Sequence, residues 1–178
     1  MTLIKNETTI TAEPGQRTIR IERWFDAPRH LVWQATTTPE LVARWWAPCD
    51  VLALKAYAID LRVGGAWRLV AASGDGGELG FHGEFREIVA PERLVRTFIF
   101  DPYPEAEAIE TMTLVSQGSR TKLTVEILHA TVAARDGHVA SGMATGVRAA
   151  HAQLEAVVRE LSAEPPAVQD PHIHNEMI

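Results

Sequence analysis

Residues 137–161 decide the fold, and they read GHVASGMATGVRAAHAQLEAVVREL. Apolar residues recur there in steps of three and four, which is the spacing of one face of an α-helix. The pattern predicts a long helix with one buried stripe, which comprises Val139, Met143, Val147, Ala150, Leu154, Val157 or Val158, and Leu161. The predicted opposite, polar side comprises Arg148, His151, Glu155, Arg159 and Glu160.

A β-sheet is the partner that the rest of the chain offers to this stripe. Short extended runs, separated by Gly, Pro, Asp and Asn, fill most of the chain before the helix, and two short helices follow the first run. No helix separates the later runs, so we expect one antiparallel sheet curled around the long helix, an α+β architecture. The predicted strands are 18–25, 51–59, 66–72, 79–89, 94–100, 107–116 and 121–130.

The phase of each strand decides which side chains face the helix. Strand 121–130 alternates clearly, so Leu123, Val125, Ile127 and His129 are expected to point the same way. Strand 94–100 is apolar on both faces, and a shift of one residue would exchange its inner and outer side chains.

Composition excludes several classes of protein. The 178 residues carry a formal net charge of −6, which gives no electrostatic basis for binding nucleic acid or an anionic membrane. The single cysteine, Cys49, excludes an internal disulfide and a cysteine-based zinc site. Neither a signal peptide nor a run of eighteen apolar residues is present, so we expect a cytoplasmic protein without membrane insertion.

Three segments organise the chain. Residues 1–15 are expected to form an N-terminal arm that is either loose or packed as an edge strand, and residues 16–162 to form one domain. Residues 163–178 contain Pro165 and Pro166 and a polar end, which predicts a flexible C-terminal tail.

A set of short motifs in a fixed order resembles a known family. The motifs are FDAP at 25–28, VW at 32–33, TPEL at 38–41, RWWAP at 44–48, DLRVGGAW at 60–67, IVAPERLV at 88–95 and TKLT at 121–124. Together they resemble the bacterial homologues of the activator of heat-shock-protein-90 ATPase, within the START-related or SRPBCC superfamily, over about residues 17–161. This resemblance implies a helix-grip fold, in which a curved seven-stranded sheet wraps the C-terminal helix and often leaves a cavity.

The leading functional hypothesis is a protein that binds a hydrophobic or amphipathic small molecule in that cavity. Large aromatic side chains and small residues on the helix favour it, since they can stack on a flat ligand and leave room for it. Core packing is the alternative role for the same aromatic residues. The candidate lining residues are Trp46, Trp67, Phe81, Phe85, Met112, His129, Met143 and Val147. We expect no cofactor and no metal, since no histidine pair has metal-ligand spacing.

Two other classes of function stay open. A cyclase or hydrolase would use His129 or Glu84 as a general base in the same cavity. If Arg68 and Glu84 project into the cavity, they would select a polar or acidic ligand group. A co-chaperone, as the family name suggests, would need an exposed interaction patch. A homodimer is compatible with the sequence, but no unpaired apolar stripe requires one.

Overall fold

The computed structural model describes residues 6–47 and 54–164. Cys49, the first residues of the predicted strand 51–59 and all but the first two residues of the predicted tail lie outside the described residues. The elements, in chain order, are β1 (Thr9–Thr11), β2 (Thr18–Phe25), α1 (Arg29–Thr37), α2 (Pro39–Trp45), β3 (Leu54–Ile59), β4 (Ala66–Ala72), β5 (Glu78–Val89), β6 (Arg93–Phe100), β7 (Ala108–Gln117), β8 (Arg120–His129), α3 (Val132–Ala140) and α4 (Met143–Ala163).

The described strands form one antiparallel sheet in the order β1-β2-β8-β7-β6-β5-β4-β3. This confirms the predicted α+β helix-grip architecture, with eight strands rather than seven. The additional strand is β1, which pairs with β2 through Thr9 and Glu22, Ile10 and Ile21, and Thr11 and Arg20. A strand of three residues is too short to show a period of two, so the sequence left its state open.

The predicted single helix over 137–161 is wrong at its start, because two helices occupy this region. Thr131 caps α3, its side-chain oxygen accepting a hydrogen bond from the Ala134 amide at 3.0 Å. The chain then turns at Gly142, whose φ of 83° suits a residue without a Cβ, before α4 begins. The apolar residues keep helical spacing from Val139 in α3 to Met143 in α4, so the sequence pattern did not reveal the break between the two helices. No helix in the described part is long and apolar enough to cross a membrane.

The C-terminal half of α4 closes the main hydrophobic core. Leu154, Val157 and Val158 are almost fully buried. They belong to one cluster with residues of β2, α1, α2 and strands β4 to β8. Helices α1 and α2 pack against α4, in the supporting position that their shortness predicts. The buried side chains of the cluster outside α4 include Phe25, Val32, Val42, Trp67, Leu69, Phe85, Leu94, Leu114 and Leu123.

A buried polar network ties the N-terminal arm to α4 and corrects the expectation for His151. This imidazole is 6% exposed rather than on a solvent-facing side, and its Nδ1 lies 3.1 Å from Thr8 Oγ1. Thr8 also accepts a hydrogen bond from Arg23, whose guanidinium pairs with Glu155. Burial, with a contribution from Arg23, lowers the pKa of His151 to about 4. The arm therefore covers His151, whereas Arg148, Arg159 and Glu160 of the predicted polar side are exposed as expected.

Candidate functional site

The N-terminal half of α4 faces a part of the sheet that carries charge. The β6–β7 register places Arg96 directly opposite Glu110, and the β5–β6 register places Phe85 opposite Arg96. Each charged residue lies two positions from a buried residue of its own strand. Arg96 is two residues from Leu94 on β6, and Glu110 is two residues from Met112 on β7. Because side chains two apart on a strand share a face, Arg96 and Glu110 point toward the helices and not toward solvent on the outer face.

Arg96 and Glu110 form a largely buried ion pair. Arg96 Nε donates to Glu110 Oε1 at 2.7 Å, and Arg96 Nη2 lies 2.6 Å from the same oxygen. The side chains are 16% and 13% exposed, so solvent still reaches the pair. The guanidinium also lies over the ring of Trp67, with its carbon 4.0 Å from the ring centroid. This stacking adds a cation–π contact to the ion pair and fixes the plane of the guanidinium.

Trp67 is held rigidly beneath this pair. It is 1% exposed, and its Nε1 donates a hydrogen bond to the carbonyl oxygen of Thr97 at 3.0 Å. Gly83 makes this position available, since a Cβ there would lie 1.9 Å from that carbonyl oxygen and 2.6 Å from Trp67 Nε1. The absence of a side chain at Gly83 therefore allows the indole to reach the backbone of β6.

A chain of aromatic rings continues from Trp67 along the inner face. Phe98 lies 5.8 Å from Trp67, Phe81 lies 5.9 Å from Phe98, and Phe81 stacks on Phe100 at 4.9 Å. Trp46 meets Phe81 edge to face at 4.8 Å. Phe81, Phe98 and Trp46 are only partly buried. Together these rings form a broad apolar surface that leads to the ion pair.

Two histidines connect this surface to α3. His129 Nε2 lies 3.0 Å from His138 Nδ1, and the His138 ring lies 6.1 Å from Phe98 in a nearly parallel orientation. A hydrogen bond between two ring nitrogens needs one donor and one acceptor, so at least one of the rings is neutral. Burial, together with the His129 charge, lowers the pKa of His138 to about 4. Burial is also the largest cause that lowers the pKa of His129.

The residues proposed from sequence lie on the inner side of the fold, in two groups. Trp46, Trp67, Phe81, Phe85 and Met112 belong to or pack against the main core cluster. The remaining residues lie toward α3 and the start of α4. Met143 and Val147 pack against a second cluster that contains Ile19, Ile21, Ala108 and Ile127, and His129 pairs in register with Ala108. Whether these residues contact a ligand stays a prediction.

Arg68 and Glu84 do not project into the cavity, because both lie on the outer face, so the alternative in which they select a polar ligand group is wrong. Arg68 pairs with Asp101 at 2.7 Å, and the Glu84 carboxylate pairs with Arg86 at 3.2 Å, with all four side chains open to solvent. The inward pair of Arg96 and Glu110 was not predicted. The only available signal was a single charged residue in the middle of each of two otherwise mainly uncharged runs, 94–100 and 108–114.

Two depressions on the described surface lie away from this inner face. One, of about 540 Å³, is on the outer face near Trp24, Thr113 and Val115. The other, of about 350 Å³, lies between the turn near Pro14 and the part of α3 that runs from Arg135 to Ala140. Neither corresponds to the cavity expected between sheet and helix. Within residues 6–47 and 54–164, no cluster of three His, Cys, Asp or Glu side chains is arranged to hold a metal ion.

Comparison with known proteins places this fold among bacterial relatives. Residues 26–159 match the model of the family described as Activator of Hsp90 ATPase homolog 1-like protein. No curated protein matches the chain. A crystal structure from Rhodobacter sphaeroides is 28% identical, with a TM-score of 0.77 over 87% of this chain and 99% of that one. A crystal structure from Nitrosomonas europaea is 25% identical, with a TM-score of 0.73 over 83% and 97% of the two chains.

Proposed function

This chain is a member of the Activator of Hsp90 ATPase homolog 1-like family, and we propose that it binds an amphipathic small molecule between the sheet and the N-terminal half of α4. The ligand would place its flat apolar part against Phe98, Phe81 and Trp46. Its polar group would reach the pair of Arg96 and Glu110. The fold of this family accommodates hydrophobic ligands in many of its members, which makes the same place the natural site here.

One observation carries the proposal, namely the partial exposure of an inward-facing surface that a closed core would bury. Arg96, Glu110 and Phe98 all face the helices, yet each remains partly accessible. Met143 and Val147, on the helix side, are partly exposed as well. Apolar surface at this end is therefore left partly uncovered, and an apolar molecule that covered it would gain about 25 cal/mol per Å² of that surface.

The composition of the surface favours an amphipathic ligand over a purely apolar one. Small-molecule sites combine mostly apolar walls with a few polar groups that fix orientation. The aromatic rings supply the walls, while the ion pair supplies a donor and an acceptor at one end. A hydrocarbon without polar groups would cover the ion pair and leave its outer hydrogen-bonding atoms without partners, which is unfavourable.

A catalytic role for the residues proposed from sequence finds less support. Glu84 lies on the outer face, away from the aromatic surface. His129 is buried, and protein atoms engage both of its ring nitrogens, since Nδ1 lies 3.2 Å from the Arg17 carbonyl oxygen and Nε2 contacts His138. Neither nitrogen is available to accept a proton from a substrate unless α3 moves.

Native mass spectrometry of the purified protein tests the proposal. We expect an adduct that is lost on denaturation and whose released molecule can be identified. A Met143→Trp variant should lack the adduct, because the indole would occupy the space beneath the start of α4. The matched control is Gln153→Trp, which introduces the same side chain at an exposed position of α4 and should keep the adduct.

Two results would contradict the proposal. An adduct retained in Met143→Trp would place the ligand elsewhere on the molecule. A wild-type protein that carries no adduct and binds none of a panel of planar aromatic compounds would leave protein binding through an outer surface as the function to pursue.

A further inference from the structure

The ion pair also specifies what kind of polar group the ligand carries. We propose, on the basis of the binding function above, that the site selects neutral ligands with a hydroxyl group and that Glu110 is the residue that rejects anions. An arginine in a binding site is usually the partner of a carboxylate or phosphate. Here that positive charge is already matched by a residue of the same sheet.

The geometry of the pair leaves N–H groups of Arg96 and one oxygen of Glu110 for the ligand. Both Arg96 nitrogens that contact Glu110 converge on the same oxygen, Oε1. Among the described residues, Arg96 Nη1 and Glu110 Oε2 have no hydrogen-bond partner, and neither is sealed from solvent. A hydroxyl group of the ligand can donate a hydrogen bond to Oε2, whereas an ether oxygen cannot. A carboxylate can only accept, and it would meet the Glu110 charge.

Within residues 6–47 and 54–164, no further charged side chain forms an ion pair with Arg96 or Glu110. The aromatic neighbours Trp67, Phe85 and Phe98 carry no charge. On the α3 side, His138 stacks on Phe98 and contacts His129, and burial lowers the pKa of both rings, which favours their neutral forms. The charged Arg135 of α3 is paired with Asp136. The inner surface is therefore polar without a net charge. An anion would lose its hydration there without gaining an unmatched cation.

Three naphthalene derivatives with the same ring separate these chemistries on the wild-type protein. 2-Naphthol is neutral at neutral pH and can donate, 2-methoxynaphthalene can only accept, and 2-naphthoate is an anion. The inference predicts that 2-naphthol binds at least about ten-fold more tightly than either of the other two. Isothermal titration calorimetry gives the affinities, and amide chemical shifts of Arg96, Phe98 and Glu110 locate the binding.

The comparison with 2-methoxynaphthalene decides the question without any variant. An apolar site with no role for Glu110 would bind the more apolar ether as tightly as the alcohol or more tightly. It would also disfavour the naphthoate, so weak naphthoate binding on its own distinguishes nothing. Equal or tighter binding of the ether would overturn the inference.

A Glu110→Gln variant tests whether Glu110 is the residue that disfavours anionic ligands. The amide leaves the charge of Arg96 unmatched, so 2-naphthoate should bind at least about ten-fold more tightly than it does to the wild type. Glu84→Gln is the matched control, because it removes the same group from an outer-face ion pair and should change neither affinity. Naphthoate binding that Glu110→Gln leaves unchanged in a folded protein would contradict the role of Glu110.

Failure of the inference and failure of the proposed function give different results. If 2-naphthol and its ether bind equally and shift the inner-face amides, the binding function stands and the selection of a hydroxyl does not. If none of the three compounds shifts those amides, the proposed binding site itself is wrong.

Discussion

The two ends of the space between α4 and the sheet differ in almost every physical property. At the C-terminal end, Leu154, Val157 and Val158 are at most 3% exposed and belong to one cluster of buried apolar residues. At the N-terminal end, Met143 and Val147 are partly exposed, and the facing strands carry Arg96 and Glu110. We call these the closed end and the open end.

The difference indicates that the two halves of α4 have different roles. The closed end supplies hydrophobic burial, which is the main favourable term in folding. The open end places an ion pair where apolar residues of similar volume would be equally stable or more stable. The proposed ligand recognition would give such a charged pair a role other than stability.

The largest expected loss of stability comes from a substitution at the closed end. Leu154 is fully buried, so Leu154→Ala should lower the free energy of unfolding by about 3 kcal/mol, the middle of the range for buried leucine truncations. Denaturation by urea, followed by circular dichroism, measures the change. A loss below about 1 kcal/mol would mean that the closed end is less tightly packed than its burial indicates.

Acid tests two histidines, the buried His151 beneath the N-terminal arm and the partly buried His138 beside Phe98. The folded-state pKa of His151 and of His138 is about 4, against 6.5 for an unperturbed imidazole. Stability from these neutral rings is therefore complete above pH 6.5 and is lost as the pH falls from 6.5 toward 4, by up to about 3 kcal/mol for each fully buried ring. His138 is more accessible, so its share should be smaller.

Urea denaturation across this pH window measures the loss in the wild type and three variants. His151→Gln should flatten the pH dependence more than His138→Gln, while a change at the exposed His30 should leave it as in the wild type. A larger flattening from His138→Gln would mean that His138 is the more deeply buried of the two rings.

A matched pair of valines compares the two ends within one helix. Val158→Ala removes two buried methyl groups and should cost about 2 kcal/mol of unfolding free energy, from the transfer cost per buried carbon and the cavity left behind. Val147→Ala makes the same change where the side chain is partly exposed and should cost less than about 1 kcal/mol. Thermal unfolding of both variants measures the difference, and equal losses would contradict the comparison.

The smallest expected change in stability comes from replacing the ion pair. A double variant with Arg96→Leu and Glu110→Leu should stay within about 1 kcal/mol of the wild type, since apolar replacement of a buried pair is often neutral or stabilising. It should lose the preference for 2-naphthol over its methyl ether. Urea denaturation and calorimetric titration check the two halves of this prediction. A loss of several kcal/mol with the preference intact would make the pair structural.

The sequence predicted the fold well where hydrophobic periodicity was strong. The alternation of Leu123, Val125, Ile127 and His129 predicts the inner face of β8, and three of these four are buried in the structure, with Val125 partly so. The stripe that ends at Leu161 likewise predicts the buried side of α4 in its second half. Both patterns are local, so a single segment is enough to reveal them.

The ion pair could not be predicted because it depends on how two strands are aligned. Arg96 and Glu110 lie in different strands, and only the β6–β7 register brings them opposite each other. Strand β6 is apolar on both faces, so the sequence did not specify which way Arg96 points. His151 was misassigned for a similar reason, since the segment that covers it contains Thr8 and lies far away in the chain.

The central claim is that a small molecule binds at the open end, and its most direct test uses the methyl groups of methionine. The chain has four methionines, of which Met143 lies at the open end and Met112 is buried beside the Glu110 strand position. With ¹³C-methyl methionine and increasing 2-naphthol, we predict a saturable shift of the Met143 signal, caused by the ring current of the bound naphthalene, and a smaller shift for Met112. Saturable binding of 2-naphthol that leaves the Met143 signal unmoved would contradict the account.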